Sequence, residues 1–219
     1  MILGTPTRHG AGMAISGDLY DLQALRDTVL ALVPGGPPEP DAMHEQVYAL
    51  AYDLRKAVEG QRETVRVEPD IGRTLSYLSV KVIWPVLLTQ IVLLRQLASG
   101  RPTSLGMQAD LYRLEATTQG ALESYDPGPG KAAWGWVQNC WHFPSDYVWQ
   151  FLEDAAFRYV TGTRGGKARF RQLPNLLDDL RPQSVRYREF QSRLNEKAKS
   201  EGCPVQALQC LGDWPPFKW

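Results

Sequence analysis

The apolar positions of this chain change period along its length, and the changes mark its elements. Residues 2–8 and 12–16 alternate apolar and polar side chains around His9-Gly10-Ala11-Gly12. Two-residue alternation with glycines able to take φ > 0 predicts a β-hairpin. From Leu19 the spacing becomes helical, through Leu22, Leu25, Val29, Leu32 and Val33. Asp18 is placed to cap that helix, and Pro34-Gly35-Gly36-Pro37-Pro38 ends it. Asp41 opens a second helix running to about Val58, with Val47, Leu50, Ala51 and Leu54 on its buried face. Residues 63–68 alternate again and predict a strand, which Pro69-Asp70-Ile71-Gly72 turns back.

The longest apolar stretch, residues 75–98, divides at Pro85. Its first half carries β-branched Val80, Val82 and Ile83 and reads as a strand, because such side chains fit a pleated surface. Proline suits the first position of a helix and no interior one. From Val86 to Leu97 apolar residues then cover most of a helical cylinder. A helix apolar all round is buried or spans a membrane. The low-charge run Val82–Leu94 is 13 residues, against about 18–20 needed to cross a bilayer. The stretch therefore reads as the central core helix, and no membrane association is expected.

Beyond it the pattern is helical throughout. One helix runs from Leu105 to about Tyr125 and ends at Asp126-Pro127-Gly128-Pro129-Gly130. Aromatic-rich helices follow over 131–143 and 145–160, broken at Pro144, and glycine makes 162–168 a flexible loop. Shorter helices are predicted over 173–180, 183–200 and 205–211. The expected fold is α+β, mainly α: a small antiparallel sheet, hairpin plus two strands, packed on a helical body. It is read as one domain, with an α+β part over 1–100, a helical part over 101–212 and an apolar tail over 213–219.

Two stretches resemble a bacterial protein family with no assigned activity. They are Gly17-Asp18-x-x-Asp21-Leu22 after the hairpin and Trp84-Pro85-x-Leu87-Leu88-x-Gln90-x-x-Leu93-Leu94-Arg95. The likeness covers the first half of the chain and rests on packing residues. It implies a bacterial source and carries over no catalytic residue.

Composition sets limits on function. With 24 basic and 24 acidic residues the chain is neutral overall, which excludes a strongly basic or acidic protein. Three cysteines are too few for a disulfide framework. No positive flank leads into an apolar run at Met1–Gly10, so a cytoplasmic location is expected. The neutrality conceals an asymmetry: residues 1–157 hold 12 basic and 18 acidic side chains, whereas 158–200 hold 11 and 4.

Familiar chemistry is mostly excluded by spacing. Cys140 and His142 are two apart, which on a helix points them away from each other, so they do not make a nucleophile and its base. Cys203 and Cys210, if helical, lie roughly 10 Å apart along the axis, too far for one zinc ion. Gly162-Thr163-Arg164-Gly165-Gly166-Lys167-Ala168 is one residue short of a phosphate loop and lacks its final hydroxyl. Glu68, Asp70 and Lys81 lack the acidic residue of a nuclease site, since Ser79 stands where it belongs. No catalytic residue, metal or cofactor is assigned.

Three features remain. Arg158, Arg164, Lys167, Arg169, Arg171, Arg186 and Arg188 form a basic segment able to grip anions or nucleic acid, or to pair with the acidic first half. Trp134, Trp136 and Trp141 belong to an aromatic cluster that fills a core or lines a pocket. Trp214, Phe217 and Trp219 make an apolar tail that docks on its own core or on a partner. These features favour a non-enzymatic interaction or assembly protein, with a protein partner or a second copy of itself. Nucleic-acid binding through 158–199 is the alternative, and an enzyme with a site assembled from separate segments is a second one.

Overall fold

The computed structural model describes residues 1–33, 42–67, 74–140, 147–162, 164–208, 214 and 216–219. Strands β1 (Leu3–Pro6) and β2 (Gly12–Gly17) form the hairpin, and β3 (Glu63–Val67) and β4 (Leu75–Ile83) complete a four-stranded antiparallel sheet. The order is β1-β2-β4-β3, with Ile15 opposite Val80 and Met13 opposite Val82. Those four side chains are buried on one face, and it is the helices that cover them. Alternation puts Ser16 and Ser79 on the other face, where their hydroxyls hydrogen-bond across the strands at 2.9 Å.

Helix α1 (Leu19–Leu32) begins as its sequence predicts, with the Asp18 carboxylate accepting the Asp21 N–H at 2.9 Å. That bond holds the Asp18 pKa below the usual carboxylate value. The sign follows: a depressed folded-state pKa gives stability that is present above the unfolded value and lost as pH falls through the folded one. Asp18→Ala is expected to cost about 1 kcal/mol at neutral pH. The difference between the two proteins should shrink in acid, as urea unfolding at two pH values would read. Helix α2 is Ala42–Val58; its proposed cap, Asp41, lies outside the described residues.

Helix α3 (Trp84–Ser99) follows β4 without a break. Ile83 is the N-cap, which makes Pro85 the second helical residue rather than the first; its missing N–H would be unsatisfied at either position. Twelve of its sixteen residues are buried, as burial on all sides requires. Gln90 meets that burial by donating to the Gln46 carbonyl at 3.0 Å. Helix α4 (Leu105–Tyr125) is tied to α1 by a buried hydrogen bond from the Thr28 hydroxyl to Asp110, 2.8 Å.

The largest departure from expectation is Pro127-Gly128-Pro129-Gly130. The segment forms the first turn of α5 (Pro127–Asn139), leaving Asp126 alone between two helices. Pro127 stands where no helical N–H is needed, and Gly130 N–H closes the turn on Asp126 at 2.8 Å. A Cβ on Gly130 would come within 2.4 Å of the Leu122 carbonyl oxygen. That glycine permits close helix packing; it does not break the chain.

Helices α6 (Val148–Thr161), α7 (Lys167–Phe170), α8 (Leu173–Asp179) and α9 (Val185–Glu201) follow. The last ends on Gly202 at φ 65°; of the expected 205–211 helix, Val205–Ala207 forms a 3-10 turn and residues 209–211 lie outside the described residues. Among the described residues no helix is long and apolar enough to cross a membrane.

Candidate anion-binding cleft

The candidate site is built around the β1–β2 turn. Gly10 takes φ 67°, and the turn closes through Thr7, whose N–H donates to Gly12 at 2.9 Å and whose hydroxyl accepts the Gly12 N–H at 3.0 Å. This geometry turns three consecutive carbonyls outward, and distant segments supply donors to each. Tyr125, the last residue of α4, donates its hydroxyl to Arg8 at 3.2 Å. Gly166 N–H donates to His9 at 2.7 Å. Tyr159 of α6 donates its buried hydroxyl to Gly10 at 2.6 Å; burial pushes the pKa of that phenol far up, so it stays a donor. His9 N–H in turn donates to the Trp219 oxygen at 2.9 Å.

Arg169 completes the junction. It is 4% exposed, and its guanidinium donates to three main-chain oxygens: His9 at 3.3 Å, Lys218 at 3.1 Å and Val160 at 3.0 Å. A planar guanidinium holds several donors in one fixed fork, so a single side chain joins the turn, the tail and the end of α6. The loop read as flexible is stitched down here, with Gly166 at φ 93° starting α7.

Beside this junction lies a cleft of about 690 Å³, with His9, Arg164, Arg169, Phe217 and Lys218 in its walls. Among the described residues no carboxylate side chain lines it. Arg164 is exposed and meets no acidic group among the described residues. His9 and Lys218 had no signal in the sequence: a lone histidine in a turn and a lysine in an apolar tail meet only through tertiary contacts.

The other basic residues are spent differently. Arg158 bonds Asp154 at 2.8 Å and Asp179 at 3.4 Å, Arg171 bonds Asp126 at 3.0 Å, and Arg186 lies 3.7 Å from Asp179. Apart from the contacts to Asp154, Asp126 and Glu201, ion pairing among the described residues stays within the basic segment. Lys167 and Arg188 have no acidic partner among the described residues. The segment is therefore no continuous track of free cations.

The aromatic residues divide as well. Trp134 and Trp136 are buried, whereas Trp141 lies outside the described residues. The tail docks on its own chain. Trp214 meets Phe157 edge-on at 6.2 Å and hydrogen-bonds Glu153, while Phe217 lies between Trp214 and Trp219 with its ring tilted to both and packs on the core. Among the described residues no group of three or more His, Cys, Asp and Glu is placed to hold a metal.

The fold thus defines a mainly helical α+β protein with a cationic cleft at the junction of hairpin, loop and tail. A family model described as a domain of unknown function, DUF6904, matches residues 2–219. The chain belongs to that family, and the match extends well past the first half that carried the resemblance. No curated protein and no solved structure matches.

Proposed function

We propose that this protein is a non-enzymatic binding module that takes an anionic group of a partner protein, such as a phosphoryl group, in the cationic cleft. The observation that carries the reading is the meeting of Arg164, Arg169 and Lys218 around a concavity that no carboxylate side chain lines among the described residues. Opposite charge in a concave site concentrates field lines and draws an anion in. Arg164 supplies the free guanidinium, suited to two-pronged contact with phosphate. Arg169 acts mainly by holding the walls together. The paired state of Arg158, Arg171 and Arg186 weighs against a nucleic-acid track, which needs several unengaged cations in a row.

Pyrophosphate titration by calorimetry at low salt tests this. Wild-type protein should bind, with affinity falling as salt rises, and Arg164→Glu should lose at least about tenfold, or 1.4 kcal/mol, with unchanged melting. Absence of binding by pyrophosphate and by a phosphoserine peptide would overturn the reading. A DNA oligonucleotide bound far more tightly than either would replace it with the nucleic-acid alternative.

A further inference from the structure

The cationic cleft carries a second chemistry beside its charge. Val160, Pro216 and Phe217 line it together with Arg164, Arg169 and Lys218. Pro216 is exposed and Phe217 half-buried, so apolar surface and cations share one concavity. A bare inorganic anion makes no use of such a wall, because water stays against it and no apolar surface is buried. Size argues the same way. The cleft's 690 Å³ lies within the roughly 300–1,000 Å³ of sites that take drug-sized ligands, and one tetrahedral anion fills a small part of that. The wall fits an anion that carries an apolar body.

The wall is also set in place before any ligand arrives. The Lys218 carbonyl accepts from Arg169 at 3.1 Å, and the Trp219 oxygen accepts the His9 N–H at 2.9 Å. The Phe217 ring lies between those of Trp214 and Trp219, with centroids 6.4 Å and 5.0 Å away. A side chain already held costs little further ordering when a ligand packs against it.

An aromatic body suits this wall better than an alkyl one. A ring adds ring-on-ring attraction with Phe217 to the area it buries. Arg164 is exposed and has no acidic partner among the described residues. Its flat guanidinium can pack on an aromatic face as well as meet a phosphate.

Resting on the phosphoryl-binding reading above, we propose that the group taken from the partner protein is an aryl phosphate, the side chain of a phosphotyrosine. The phosphoryl group meets Arg164 and Lys218, and the ring covers Pro216 and Phe217. Phosphoserine carries the same anion on a single methylene and leaves the apolar wall wet.

Calorimetry at low salt tests this. Phenyl phosphate should bind about fivefold or more tightly than ethyl phosphate, an ester of equal charge. A phosphotyrosine peptide should exceed the same peptide carrying phosphoserine by a similar factor. Phe217→Leu keeps an apolar side chain for the tail to dock with but removes the ring, and should cut the preference to about half or less, with the tail's resistance to proteolysis unchanged. Nuclear Overhauser contacts between the phenyl protons and Phe217 in wild-type protein give a measure that needs no variant. Phenyl phosphate bound no more tightly than ethyl phosphate, while pyrophosphate still binds, would overturn this inference and leave the anion reading standing. No binding by any of the phosphate compounds would overturn both. Adenosine monophosphate bound more tightly than the phosphotyrosine peptide would overturn the inference in favour of a nucleotide.

Discussion

Arg169→Met should destabilise the protein by roughly 3 kcal/mol, a fall of about 6–12 °C in melting temperature for a chain of this size. Methionine keeps the apolar stem but supplies no donor. The His9 carbonyl would still accept the Gly166 N–H, whereas the Val160 and Lys218 carbonyls would lose the donors they have. An offset exists, since removing the guanidinium also removes the cost of burying its charge and its unpartnered Nε. The loss is still expected to win, because three chain segments separate at once. Arg169→Lys should rescue little: an ammonium keeps the charge but cannot span three carbonyls as a fork does. Thermal melts would give the stability, and limited proteolysis should show faster cleavage near residues 214–219. A melting temperature within a degree or two of wild type would mean that the tail and turn hold without this side chain.

That junction also explains what was and was not legible in the sequence. Elements defined by local chemistry read correctly: the Asp18 cap, the strand that begins at Leu75 and the apolar α3. Each depends on residues within a few positions of one another. The errors came where a residue's meaning depends on a distant neighbour. Pro127-Gly128-Pro129-Gly130 looked like a chain break because its composition matches a turn, yet Gly130 is there for the Leu122 backbone against it. Glycine at 162–166 looked like flexibility, but the loop's partner is a turn some 150 residues earlier. Arg169 and Arg164 were alike as members of a basic run. Packing makes one a buried three-way clamp and leaves the other free to meet an anion. Among the aromatic residues the density of tryptophan was plain, but whether an indole N–H finds an acceptor is a matter of tertiary geometry. The candidate cleft was thus half visible, through its arginines, while His9 and Lys218 were not.

The second large effect is expected at Trp84, where sheet, core helix and cleft are joined. Trp84 is fully buried at the first turn of α3. Its N–H donates to Ala11 at 3.1 Å, and its ring meets Phe170 edge-on at 6.0 Å. Phe170 in turn meets Tyr125 at 4.9 Å, the residue that holds the Arg8 carbonyl, and it directly follows Arg169. Trp84→Ala should cost about 3–5 kcal/mol, from lost transfer energy and the cavity left behind. Trp84→Phe should cost much less, since it keeps a ring and removes an indole N–H that has no acceptor among the described residues. In urea the alanine variant should show a lower midpoint with an unchanged slope, as a loss of stability alone requires. Its pyrophosphate affinity, measured where it is still folded, should also fall, because Phe170 loses the surface against which it positions Arg169 and the adjoining loop. Trp84→Phe should bind as wild type does. If the alanine variant bound equally well, the cleft would be independent of the core beneath it, and its geometry would rest on the hydrogen bonds of the turn alone.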